Sequence, residues 1–149
     1  MHMNVAICRL NDSAKLPTHG SEWAAGYDLY ACLDYDNEVY LAPGETKKIG
    51  TGIAVAIPHD YFGAICARSG LATKHGLRPA NCLGIVDADY RGEVIVALHN
   101  DSSVPYTVKH GERIAQLVIM PFLPVEFREV DHLAETKRGS GGFGSTGTK

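Results

Sequence analysis

The stretch NCLGIVDADYRGEV, residues 81–94, sets Asp87, Asp89 and Tyr90 around an Arg91-Gly92 pair. Two acids in Asp-x-Asp order could bind a metal. One carboxylate alone could hold and deprotonate a water. An aspartate and a tyrosine three apart around a turn could both face one pocket. Hairpin turn chemistry also explains all of these residues without any site.

Three other stretches carry residues suited to anions. In ARSGLATKHG, residues 67–76, Arg68, Ser69 and Gly70 stand just before a short helical turn. A hydroxyl and free amides at a helix N-terminus suit phosphate. Taken alone, an ordinary N-cap beside a solvated arginine explains them better. In AAGYDLYA, residues 24–31, Asp28 sits near a strand start, where an aspartate is usually a turn or cap residue. GERIAQLVI, residues 111–119, puts Gln116 inside an apolar run, where a buried amide needs partners. Histidines such as His59, His75 and His99 lack ligand spacing.

Residues 138–147, RGSGGFGSTG, are half glycine around a single aromatic. Gly139 to Gly144 fits the Gly-x-Gly-x-x-Gly pattern, but no strand leads in and no helix follows. GFGSTGTK has threonine where a phosphate-binding loop needs lysine. By pattern alone this is a frayed end. By composition it is a flap: Arg138 can fork onto phosphate, glycine amides can approach an anion closely, and Phe143 can stack on a base.

The elements that must position these residues are strands. Ile53, Val55 and Ile57 alternate with alanines, and Val94, Val96 and Leu98 alternate with Ile95 and Ala97. Shorter alternating pairs are Val5 and Ile7, Val39 and Leu41, Tyr106 and Val108, and Val125 and Phe127. Turn signals separate them at Pro43-Gly44, Pro58 to Asp60, Asn100 to Ser103, and His110-Gly111. The pattern predicts an all-β sandwich or jelly roll. One helical turn is expected, Leu71 to His75. Composition changes after Val130, so residues 1–130 read as one β domain and 131–149 as a mobile arm.

The 149 residues fit one domain, with 45% hydrophobic and 21% charged side chains and a net charge of −3. No basic stripe argues for a nucleic-acid polymer, and no window suits a membrane span. Cys8, Cys32, Cys66 and Cys82 form no Cys-x-x-Cys pair, so buried free thiols are expected. No targeting signal is read, and the expected location is cytoplasmic, or nuclear in a eukaryote.

Together the stretches AGYDLYA, RSGLATKHG, NCLGIVDADYRGE, GERIAQ and RGSGGFGSTG resemble, in order, the five motifs of the trimeric dUTP pyrophosphatases (dUTPases). They span residues 25–147. The resemblance implies a jelly-roll subunit, a homotrimer, and sites assembled from more than one chain. It implies hydrolysis of dUTP to dUMP and pyrophosphate with Mg²⁺ by attack of water on the α-phosphorus. That reaction clears dUTP and supplies dUMP for dTMP synthesis. Asp28 resembles the aspartate that holds Mg²⁺ through water. Arg68, Ser69, Gly70 and Gln116 resemble phosphate contacts, and Asn81 with the following hairpin the uracil reader. Asp87 resembles the carboxylate that activates water, and Tyr90 the residue under the deoxyribose. Arg138 resembles the arginine on the phosphates, with Phe143 and Gly144 in the covering arm. Val86 departs from the usual isoleucine by one methylene. Asp89 adjoins Asp87, and the base role falls on Asp87 because the motif places it there.

Two other functions compete. A dCTP deaminase on the same fold would attack the base and needs a glutamate near it. A binding module would keep the fold without turnover. The dUTPase hairpin and the full fifth motif weigh against the first. The intact Asp87, Tyr90, Arg138 and Phe143 weigh against the second.

Overall fold

The computed structural model describes residues 3–34 and 37–142. Eleven strands and one short helix are described. They are β1 (Ala6–Arg9), β2 (Tyr27–Tyr30), β3 (Glu38–Leu41), β4 (Thr46–Gly50), β5 (Ile53–Ala56), β6 (Tyr61–Cys66), α1 (Ser69–His75), β7 (Leu77–Pro79), β8 (Gly84–Val86), β9 (Ile95–Asn100), β10 (Tyr106–Lys109) and β11 (Arg113–Pro121). The fold is all-β and jelly-roll-like, as the alternation predicts. Pairing is antiparallel throughout the described strands. A four-stranded sheet runs β2-β11-β6-β8 and a three-stranded one β4-β9-β7, beside the ribbons β1-β5 and β10-β3.

Every sheet sends side chains into one core. Leu29, Leu41, Ile49, Ile53, Leu77, Val96, Leu98, Val108 and Ile114 are all buried there. In β9 the buried positions are Val96, Leu98 and Asn100, the period of two that a half-exposed strand requires. β5 buries Ile53, Ala54 and Val55 in succession, so it is covered on both faces. Asn100 is fully buried but fully used. Its Nδ2 donates to the carbonyls of Leu41 and Val104, and its Oδ1 accepts from the Ser102 amide and hydroxyl.

The turns follow their chemistry. Gly44, Gly76 and Gly111 take positive φ at chain reversals, and so does Asp60. Three expectations need correction. The helix begins at Ser69 rather than Leu71. Val125 and Phe127 form no strand and pair with none of the described strands. Residues 120–140 are exposed without interruption, and Phe127 is 95% exposed. The chain thus leaves the packed body after Phe122, whose amide still donates to the Asp60 carbonyl, ahead of the compositional change at Asp131. Third, the thiols are free, but Cys8 and Cys82 are exposed, one on β1 and one in a turn. Among the described residues no helix is long and apolar enough to cross a membrane.

Candidate active site

The four-stranded sheet builds one group of polar residues. Asp28 on β2, Gln116 on β11 and Cys66 on β6 stand directly opposite one another across three strands. Arg68 lies two residues past Cys66 and reaches back over β11, its Nε donating to Asp28 Oδ1 at 2.7 Å. Arg113 Nη1 donates to Asp28 Oδ2 at 3.2 Å. Arg113 and Gln116 are three apart, so a regular strand would send them to opposite faces. A register shift between Arg113 and Ala115 inserts the extra residue that puts them on the same face. The sequence motif contains Arg113, but the bulge that recruits it leaves no signal in residue types.

Gln116 is fixed at both ends of its amide. Nε2 donates to the Ala67 carbonyl at 2.9 Å. Oε1 fills the space beside Gly26, where a β-carbon would come within 2.2 Å of it. Gly26 is therefore glycine for lack of room. It ends a loop whose base is closed by the Asp28 amide on the Thr18 carbonyl at 2.6 Å. At the tip of that loop Trp23 is 90% exposed, in a turn closed by the Ala24 amide on Ser21.

Ser69 opens α1, with Arg68 as the residue before it, and no side chain caps the helix. The first-turn amides thus keep their donors. No atom lies within 4 Å of a β-carbon built on Gly70, so the space over this turn is open. Asp28, Arg68, Arg113, Ser69, Gly70 and Gln116 form one donor-rich group in which two guanidiniums face a single carboxylate.

Asp87 stands elsewhere. It follows β8, whose Val86 is opposite Gly63, while Gln116 is opposite Cys66. The two rows are separated by three residues of β6, roughly 10 Å. Asp87 lies one residue beyond Val86, roughly 13 Å from the Gln116 row along the strand direction, and the Arg68 guanidinium turns back to that row at Asp28. Asp87 opens a turn closed by the Tyr90 amide on its carbonyl at 3.1 Å. It lines a cleft of about 740 Å³ with Ile57, His59, Phe62, Ile85 and Phe122. Phe62 and Phe122 meet edge-on at 6.5 Å.

The expected hairpin is one-sided. After the turn the chain bonds to residues 51–53 rather than back to β8. The Val94 amide donates to Ile53, and Glu93 Oε1 accepts from the Gly52 amide at 2.8 Å. Tyr90 is held on that return, its hydroxyl donating to the Glu93 carbonyl at 2.9 Å. The ring lies over Gly92, where a β-carbon would meet the phenol at 2.5–3.0 Å. Asn81 lies in the turn before β8, its carboxamide folded towards Gly84. Arg138 closes a local turn, Nε donating to the Gly141 carbonyl at 2.8 Å. Phe143 and Gly144 lie outside the described residues.

The dUTPase family model matches residues 12–147.

The chain belongs to the dUTPase family.

Among curated dUTPase relatives, the deoxyuridine 5'-triphosphate nucleotidohydrolase of Desulfitobacterium hafniense is 49% identical over 97% of this chain and 95% of its own length. That of Nautilia profundicola is 47% identical over 97% and 99%. Among solved structures, the dUTPase of Staphylococcus bacteriophage 80alpha with dUPNHPP superposes with a TM-score of 0.86 at 29% identity, covering 97% of this chain and 99% of that one. A mutant dUTPase from phage phi11 of S. aureus, with a structural Mg(II) ion, superposes at 0.76 and 26% identity over 87% and 98%.

Magnesium prefers oxygen ligands and keeps several waters, with one or two protein carboxylates plus substrate phosphates. Among the described residues no three acidic, histidine or cysteine side chains gather into a cage. Asp28 fits the looser arrangement. Its two oxygens each accept one guanidinium bond, and a carboxylate has about four acceptor positions.

Proposed function

We propose that this chain hydrolyses dUTP to dUMP and pyrophosphate at sites shared between copies of a homotrimer. The observation that carries the reading is the separation of its two halves on one family fold. The anion-suited group of Arg68, Ser69, Gly70 and Gln116 and the carboxylate of Asp87 lie at opposite ends of β6. That separation within one chain supports a site whose halves come from different copies. The exposed segment 123–140 has the length to reach towards such a site.

In this reading Arg68, Gln116 and the first-turn amides of α1 hold the triphosphate, and Arg138 adds a second guanidinium from the arm. Asp28 orients Arg68 and Arg113 and would hold Mg²⁺ through water. The ion, when bound, neutralises phosphate charge. Asp87 takes a proton from the water that attacks the α-phosphorus, and the leaving group is pyrophosphate. Fixed positive charge around the phosphates lowers the repulsion this water meets. Asn81 and its turn read the base, and Phe143 covers it. Uracil and cytosine present opposite hydrogen-bond polarity, so a site built for one leaves buried groups unpaired with the other. Tyr90 lies under the sugar and refuses a 2′-hydroxyl. The dUMP released is a precursor for dTMP.

The test is to incubate the protein with Mg²⁺ and each of dUTP, dCTP, dTTP and UTP, measuring monophosphate, pyrophosphate and ammonia. Pyrophosphate and dUMP from dUTP alone are expected. Asp87→Asn, on an exposed turn, should fold normally and turn over ~10²–10⁴-fold more slowly. Ammonia from dCTP would move the chain to base chemistry. Wild-type turnover in Asp87→Asn would remove Asp87 as the base.

A further inference from the structure

The three-stranded sheet carries a polar row of its own. Thr46, His99 and Arg78 stand directly opposite one another on β4, β9 and β7. Thr46 Oγ1 and His99 Nδ1 are 2.7 Å apart, and His99 Nε2 is 3.1 Å from Asp101 Oδ1. Asp101 in turn grips the Arg78 guanidinium from one side. Nε donates to Oδ2, and Nη2 donates to Oδ1 at 3.2 Å. The backbone of Asp101 is also fixed, its amide donating to the Gly76 carbonyl at 2.9 Å.

This grip leaves Nη1 turned towards the segment that follows β7. Nη1 lies 3.2 Å from the Pro79 carbonyl, 3.3 Å from the Ala80 carbonyl and 3.6 Å from Cys82 Sγ. These acceptors flank Asn81 on both sides. The turn itself is closed by the Cys82 amide on Pro79 at 3.0 Å and the Leu83 amide on Asn81 at 2.6 Å. Cys82 takes a φ of +61° in it, a left-handed conformation that disfavours any side chain with a β-carbon. A turn holding a disfavoured residue on the protein surface, where Ala80, Asn81 and Cys82 are all exposed, needs an outside restraint.

We propose that Arg78 is a positioning residue for base recognition, clamping residues 79–82 so that Asn81 is presented in one orientation. The proposal rests on the reading of Asn81 as the base reader. Arg78 touches neither substrate nor reacting atoms. It acts by gathering two carbonyls and a thiol on one amino group, while the Asp101–His99–Thr46 chain keeps the guanidinium from swinging away. A planar fork held from one side suits this role, and a lysine would not reproduce it. Selectivity between bases depends on a polar group being fixed within about 0.5 Å. Loosening the turn should therefore weaken choice of base before it weakens hydrolysis.

The experiment measures KM, kcat and the dUTP-over-dCTP preference for the wild type, Arg78→Ala, Arg78→Lys, Asn81→Ala and the Arg78→Ala/Asn81→Ala double variant, with thermal melts alongside. Arg78→Ala should raise KM for dUTP and lower the preference, each by roughly tenfold, with kcat held within about twofold. Arg78→Lys keeps the charge facing Asp101 and guards against a variant that fails to fold; it should show the same loss. On the Asn81→Ala background Arg78→Ala should change KM no further. A lowered melting temperature with wild-type KM and preference would make Arg78 a stability residue and overturn the proposal, provided Asn81→Ala is impaired. A wild type inert on dUTP, or an Asn81→Ala enzyme with unaltered KM and preference, would instead overturn the reading beneath it.

Discussion

Arg68 spans the full width of β11 to reach Asp28, Nε to Oδ1 at 2.7 Å. Two guanidiniums converge on this one carboxylate, whose side chain is only 14% exposed. The pair does two jobs in one geometry. It ties the start of α1 to β2, and it holds Arg68 where a phosphate would find it. Asp28→Asn removes the charge and leaves both arginines without their counter-ion. It should cost about 1–3 kcal/mol, read as a lower denaturant midpoint at constant slope. It should also raise KM for dUTP. An unchanged midpoint would mean that the arginines find other partners.

Gly26 and Gln116 are coupled by contact. Gly26→Ala puts a β-carbon against Gln116 Oε1, so the amide must leave the Ala67 carbonyl or the loop must lift. Activity towards dUTP should fall, and a double-mutant cycle identifies the route. With Gln116→Ala in place, Gly26→Ala should be nearly silent, since the obstacle is gone. Additive losses would place the effect in the loop alone.

The proposed sharing of sites between copies makes a quantitative prediction for mixtures. Arg68→Ala and Asp87→Asn spoil opposite halves of the site. In a closed ring of copies, each site takes its Asp87 half from one copy and its Arg68 half from a neighbour. Co-refolding the two inactive variants in equal amounts should restore about a quarter of wild-type activity, the product of two chances of one half. Continued inactivity of the refolded mixture would confine each site to a single chain.

Tyr106 sets an alkaline limit. Burial, followed by its hydrogen bond to Glu112, pushes its phenol from 10.0 up to about 12. The folded chain therefore keeps this proton after the unfolded chain has lost it. The stabilisation is complete below pH 10 and is lost as pH rises from about 10 through about 12. Melting temperatures followed across that window should fall, and less steeply in Tyr106→Phe. An equal slope in the variant would assign the loss to other groups.

The family was legible in the residues, because motif order survives any detail of packing. The strands were legible where alternation was long, as at Ile53–Ala56 and Ile95–Asn100. Three things were not. The bulge that turns Arg113 towards Asp28 depends on register, which residue types do not encode. The return from Tyr90 looked like half of a hairpin, but Glu93 and Val94 bond to the 51–53 segment, a choice made by long-range packing. Arg78 carries no signal in the sequence, since its role requires three acceptors brought close by a turn and an aspartate 23 residues away. The reverse holds for Val125 and Phe127. Their alternation is a sound strand signal, yet they pair with none of the described strands.

Trp23 has an optical consequence. The chain contains one tryptophan, and it stands in solvent at the tip of the loop that ends on Gln116. Its indole emission therefore comes from a single place, without background from any second indole. A ligand or a neighbouring copy that settles over that loop must exchange water for protein around the ring, shifting its emission to the blue. The protein thus carries an intrinsic fluorophore beside the face that bears Arg68 and Gln116, and binding there can be timed by stopped flow without attaching a dye.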